Sequence, residues 1–163
     1  MGKWHVDETY IKVKGRDTYL YRAIDKSGAT VDFMYSKTRN LQDAKAFFKR
    51  AIKQHGLPVQ VTLDGSQTND TAARQSHCEA RMRVSQAIDP LIVRRSKYMN
   101  NRIEQAHRRV KRRIRPMLGF KSDRTASTIL EGIELIHMIR KGQMIGANAA
   151  NPSLTEQFNL LAA

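Results

Sequence analysis

The sequence predicts an α/β fold, a mixed five-stranded sheet flanked by helices, on three observations. Residues 3 to 37 are rich in Tyr, Val, Ile and Thr and break twice at turn-forming clusters, as a run of three strands would. A helix-periodic segment follows, and behind it a short apolar run after Pro58 returns to the sheet. The C-terminal half then carries two more helical patterns, so strands and helices share one core.

The first three strands separate at Gly15-Arg16-Asp17 and Asp25-Lys26-Ser27-Gly28, which gives an antiparallel meander. Asn40-Leu41-Gln42-Asp43 opens a helix with Leu41, Ala44, Phe47, Phe48, Ala51 and Ile52 on one stripe, closed by His55-Gly56. Val59 to Leu63 reads as a fourth strand; coming after a helix, it runs parallel to the sheet and presents Asp64-Gly65 at its C-terminal end. Residues 68 to 82 are weakly helical, and Pro90-Leu91-Ile92-Val93 is a short fifth strand. Asn101 is expected to cap a basic helix from about Arg102 to Arg115. Ser122-Asp123 starts the last helix, with Ile129, Ile133, Leu135, Ile136 and Ile139 as its apolar face and Lys141-Gly142 as its stop. These elements make one domain over residues 1–142, with 143–163 as a C-terminal extension. Their order is that of a ribonuclease H-like domain.

At 163 residues the chain suffices for one buried core, and 40% hydrophobic with 27% charged residues is a globular composition. The net charge is +14, and +10 of it falls between Arg94 and Arg124, where twelve Lys or Arg face only Glu104 and Asp123. Such a block points to nucleic acid, because a merely solvated face intersperses acids. The single Cys78 has neither a disulfide partner nor a zinc-type spacing, and no apolar run reaches membrane-span length. The expected setting is the cytoplasm, without a membrane partner.

Against that positive background, Asp7, Asp64 and Glu104 stand out. Each taken singly reads as a solvated carboxylate, and Asp64-Gly65 equally as a turn. Together, on a first strand, a strand end and a helix, they can supply the oxygen ligands that Mg²⁺ prefers for phosphoryl transfer by two ions about 4 Å apart. Glu8 alternates to the opposite strand face from Asp7, so at most one of the pair enters the same site, and alternation alone does not choose between them. Glu104, Arg108 and Lys111 share a helical face, which can hold phosphate beside the acid or form an ordinary Glu104–Arg108 ion pair. Arg109, Arg112, Arg113 and Arg115 fall elsewhere on the helix and follow a nucleic-acid backbone. Trp4 reads as core, and His107 as a surface histidine of the basic helix.

Several ordered motifs resemble the catalytic domain of bacterial D-D-E transposases of the insertion-sequence-six family. They are Trp4-His5-Val6-Asp7-Glu8-Thr9-Tyr10, Tyr19-Leu20-Tyr21-Arg22-Ala23-Ile24-Asp25, Asp64-Gly65-Ser66-Gln67-Thr68-Asn69, Tyr98-Met99-Asn100-Asn101-Arg102-Ile103-Glu104-Gln105, Arg115-Pro116-Met117-Leu118-Gly119-Phe120 and Gly132-Ile133-Glu134-Leu135. The resemblance implies a retroviral integrase-type ribonuclease H-like fold and a metal-binding catalytic triad of Asp7, Asp64 and Glu104. With it come Mg²⁺ at a two-metal site, for which Mn²⁺ can substitute, and a homodimer acting on transposon ends and target DNA. Its reaction is hydrolysis at the ends, then attack of the freed 3′-hydroxyl on target DNA, giving a cointegrate. DNA contacts are expected from Arg102, Arg108, Arg109, Lys111, Arg112 and Arg115. Three departures mark this chain: no N-terminal helix-turn-helix is expected, 39 residues separate Asp64 from Glu104, a longer spacing than usual, and Ala106 stands where relatives carry aspartate. They leave open a catalytically silent DNA-binding or dimerising remnant, and the fold equally admits a ribonuclease H or junction nuclease.

Overall fold

A computed structural model describes residues 2–84, 87–96, 98–143 and 155. Strands β1 (Lys3–Val13), β2 (Arg16–Asp25) and β3 (Thr30–Ser36) form the antiparallel meander. Helix α1 (Leu41–His55) leads to β4 (Gln60–Leu63), and α2 (Gln67–Arg81) to β5 (Ile92–Arg95). Both crossovers return parallel, so the sheet order is β3-β2-β1-β4-β5, the expected mixed five-stranded arrangement. Helices α3 (Asn101–Ile114) and α4 (Asp123–Arg140) complete the described elements, with single 3₁₀ turns at Tyr98–Asn100 and Arg115–Met117.

Alternation along β1 distributes two cores to the two faces. Trp4 and Val6 pack with Tyr21 and Ala23 against Phe47, Phe48 and Ala51 of α1 and Ala72 and Ala73 of α2. Ile11, Val13 and Leu20 pack on the other face against Val110 of α3 and Ala126 and Leu130 of α4. The helix ends follow local chemistry: Asn40 Oδ1 accepts from Asp43 N at 2.8 Å, Gly56 at φ +81° closes α1, and Ser122 Oγ accepts from Thr125 N at 3.1 Å. Ser66 caps α2, which is a full helix of 15 residues.

Four expectations about the individual elements shift. The first turn is Lys14-Gly15, both with positive φ, so β2 begins at Arg16. β5 starts after Pro90, which has no N–H to give to a ladder. Asn101 is the first residue of α3 and not its cap; Asn100 precedes it, makes no capping bond and turns inward, its Nδ2 3.5 Å from the Val6 carbonyl. On α4, Leu135 and Ile136 are exposed, whereas Glu134 is completely buried in an ion pair with Arg22 of β2. Gln143 is stitched to β3 by two 2.9 Å bonds to the Thr30 backbone, so contact with the sheet continues past residue 142. The rest of the expected extension, apart from Thr155, lies outside the described residues.

Candidate active site

The parallel register Lys3↔Gln60, Trp4↔Val61, His5↔Thr62 aligns, two residues on, Asp7 with Asp64. Adjacent strands lie about 4.8 Å apart, so the two carboxylates start from neighbouring backbone positions. β4 stops at Leu63, and Asp64 turns out of the sheet, its Oδ1 accepting from Ser66 N at 3.1 Å. β1 continues beyond, leaving Asp7 at the C-terminal end of β4, with its Oδ1 accepting from Glu8 N at 2.9 Å. Asp64 is exposed and Asp7 largely buried.

Glu104 comes from α3, which buries Ile103, Ala106, His107 and Val110 and leaves Glu104 half-buried. Asn100, just ahead of α3, reaches β1 at Val6, next to Asp7. The electrostatics tie the three acids together: the Asp7 carboxyl is pushed up to about 7, first by burial, then by the charges of Asp64, Glu8 and Glu104. Among the described residues Glu104 forms no ion pair with Arg108, so the Glu104–Arg108 alternative does not hold. Nor do three or more His, Cys, Asp or Glu side chains there close into a ready ligand cage. The fit to a hard divalent cation rests on charge and donor type: all three groups are oxygen donors, and Asp7 resists ionisation beside the other two.

Glu8 alternates away as expected: its carboxylate is buried, ion-paired with Arg39, and accepts from Asn69 Nδ2 at 2.5 Å. It has its own partners on the α1–α2 side.

Residues 1–143 match a family model described as a DDE domain. The chain belongs to the DDE family of transposases. It is 42% identical over 139 residues to the transposase for insertion sequence-like element IS431mec of Staphylococcus aureus strain Mu50, covering 85% of this chain and 58% of that protein. The same figures hold for the transposase for insertion sequence element IS257 in transposon Tn4003 of Staphylococcus aureus. The chain therefore spans about 58% of the length of these relatives. Among solved structures, the HTLV-2 integrase catalytic core domain in complex with magnesium (trimeric form) aligns at TM-score 0.55 and 15% identity, covering 94% of this chain and 93% of that one. A chain of the simian T-cell lymphotropic virus intasome aligns at TM-score 0.54 and 15% identity, over 79% of this chain and 46% of that one. These likenesses are to the ribonuclease H-like fold of integrase cores.

Two residues of the DDE domain escape a reading by sequence. His107 is buried, not on the surface, with Nδ1 3.7 Å from Asp7 Oδ2. Burial, then Arg22 and Lys111, pushes its pKa down to about 3, so the imidazole is neutral. The stripe Ile103, Ala106, His107, Val110 carried the signal, since His107 occupies a core position of the 3.6-residue period. Arg22, directly opposite Asp7 in the β1–β2 ladder, is the other. A lone arginine inside an apolar strand marked it, but its partner Glu134 lies on an element far along the chain.

The basic residues of the DDE domain divide between grooves. Arg108, Lys111, Arg112 and Arg115 line one with Tyr10, Lys12, Leu118 and Phe120. Arg109, Arg112 and Arg113 line another with His137, Arg140 and Lys141 of α4 and the residue after it. Burial first, then the charges of Arg22, Lys141, Arg109 and Arg113, pushes His137 down to about 4. Arg102 bonds the Lys26 carbonyl and, with Arg109, borders a smaller recess. The six expected DNA contacts thus do not share one face.

Proposed function

We propose that this domain cleaves and joins DNA strands at a divalent-cation site held by Asp7, Asp64 and Glu104. It hydrolyses transposon ends, then directs the freed 3′-hydroxyl onto target DNA to give a cointegrate. The observation that supports the reading is the β1–β4 register, which sets Asp7 beside Asp64 at one end of the sheet in a strongly basic chain; burial first, then the charges of Asp64, Glu8 and Glu104, push the Asp7 carboxyl up there. When bound, a pair of Mg²⁺ ions activates the attacking oxygen and stabilises the leaving one, and Mn²⁺ can substitute. The chain's residues supply the rest: the three carboxylates give oxygen ligands, and Arg108 and Lys111 hold phosphate beside Glu104. Neutral His107 fills the space behind Asp7 without a competing charge. Arg102, Arg109, Arg112 and Arg115 follow the backbone further out.

In this reading residues 1–142 are the catalytic unit, 143–163 an extension, and a homodimer brings two ends together in the cytoplasm. Among the described residues no helix is long and apolar enough to cross a membrane. The test is strand transfer by the chain from a terminal-repeat duplex into plasmid DNA, with Mg²⁺ or Mn²⁺, beside Asp64→Asn. Joined product that needs the metal and is lost in the variant supports the proposal. A folded wild-type chain that binds the duplex but yields no metal-dependent product overturns it and leaves a silent DNA-binding remnant.

A further inference from the structure

The turn after α3 holds an unusual residue. Leu118 is 95% exposed, more than any other large hydrophobic side chain among the described residues, and Met117 beside it is 45% exposed. Its backbone is left-handed, φ +52° and ψ +30°, a conformation that crowds the Cβ of an L-residue and that only Lys14 shares among described non-glycine residues. An exposed leucine in a strained backbone needs a reason, because the solvent side of a turn ordinarily takes Gly or Asn there.

Both ends of this turn are fixed. On the helix side Leu118 N bonds the Arg115 carbonyl at 3.3 Å. On the sheet side buried Phe120 joins the free edge of β1, its N donating to Lys12 O at 3.1 Å and its O accepting from Lys14 N at 2.8 Å. The tip is thereby held out from a rigid base.

Its surroundings select the occupant. Lys12, Arg108, Lys111, Arg112 and Arg115 border the same groove; among the described residues no acid lines it, and of these five cations Lys12 alone is ion-paired, to Asp17 at 2.6 Å. A protein surface that covered Leu118 would have to desolvate this ring of cations, whereas duplex DNA offers phosphates for them and a base stack for the apolar tip. Ten residues separate Glu104 from Arg115, eleven helical rises or about 16 Å, roughly five base steps, so the tip and the acids can address one duplex.

We propose that Leu118 is an apolar wedge that enters the base stack of bound duplex DNA while the flanking cations grip the phosphates on either side. The proposal rests on the reading of this domain as one that acts on DNA. It is tested with duplexes carrying 2-aminopurine at successive positions from the end, since this base brightens when it is unstacked. Wild type is expected to brighten the probe at one or two adjacent positions. Leu118→Ala should abolish that rise while keeping affinity within about threefold, because phosphate contacts supply most of the binding. Leu118→Met should retain the rise. Arg115→Gln should instead lower the salt dependence of binding by about one phosphate contact and preserve brightening at saturation.

An equal rise in Leu118→Ala and wild type overturns the wedge, as does wild-type binding with no brightening at any position. Loss of self-association in Leu118→Ala without DNA, measured by sedimentation, also overturns it and assigns the tip to contact with a second copy. Wild type that binds no duplex at low salt removes the DNA-acting reading itself, and the wedge with it.

Discussion

The two faces of the sheet are built from opposite materials. Under α1 and α2 the interior is aromatic and aliphatic, with Tyr21 and Phe47 stacked at 5.7 Å and Phe47 and Phe48 edge to face at 5.6 Å. Under α3 and α4 an apolar patch around Leu20, Val110 and Leu130 adjoins Asp7, Arg22, His107 and Glu134, all largely or wholly buried. Burying an aliphatic side chain contributes stability, whereas burying a charge costs it unless a partner is supplied. The first face therefore anchors the sheet, and the second holds charge at the position where the candidate site stands.

The largest expected effect is on the apolar face. Phe47→Ala removes a fully buried ring and should cost about 3–5 kcal/mol in urea unfolding, with no single compensating substitution. On the charged face a comparable loss should be reversible. Arg22→Met strands Glu134 and should cost about 3 kcal/mol, while Arg22→Met with Glu134→Leu should recover most of it, because an apolar pair leaves no unpaired charge. A double variant as unstable as the single one would show that the pair does more for the fold than its isosteric replacement can.

The next contrast is in pH. Folding raises Asp7 from 3.8 to about 7 and lowers His107 from 6.5 to about 3. A raised carboxyl adds stability at low pH that is lost as pH rises; a lowered imidazole adds stability at high pH that is lost as pH falls. Between pH 3.8 and 6.5 the two slopes oppose each other, so in chelator their joint contribution should be flat. Asp7→Asn should then lose stability as pH falls, and His107→Asn as pH rises, each by at most about 1.4 kcal/mol per pH unit. Parallel slopes in the two variants would separate the residues.

The same contrast governs what could be read in advance. The meander, α1 and the parallel return of β4 were legible because turn residues, a clean Phe47–Phe48 stripe and Gly56 are local signals. Asp64 followed, since a strand end needs only the strand. The Arg22–Glu134 pair was not legible, because the two residues are joined only by the packing of α4 across β2. The inward position of His107 is masked by its neighbours Arg108 and Arg109, which colour the whole helix basic, although every third or fourth position faces inward. For the same reason the cations of α3, spread around a helix of 3.6 residues per turn, serve more than one groove.

The central claim is that Asp7, Asp64 and Glu104 make one cation site. Mn²⁺ binding to the folded chain, followed by electron paramagnetic resonance beside Asp7→Asn, Asp64→Asn and Glu104→Gln, tests it most directly. The account predicts saturable binding in wild type that is weakened at least about tenfold in every variant, since each removes one ligand of a single site. Wild-type affinity in any one of the three would take that residue out of the site and contradict the account.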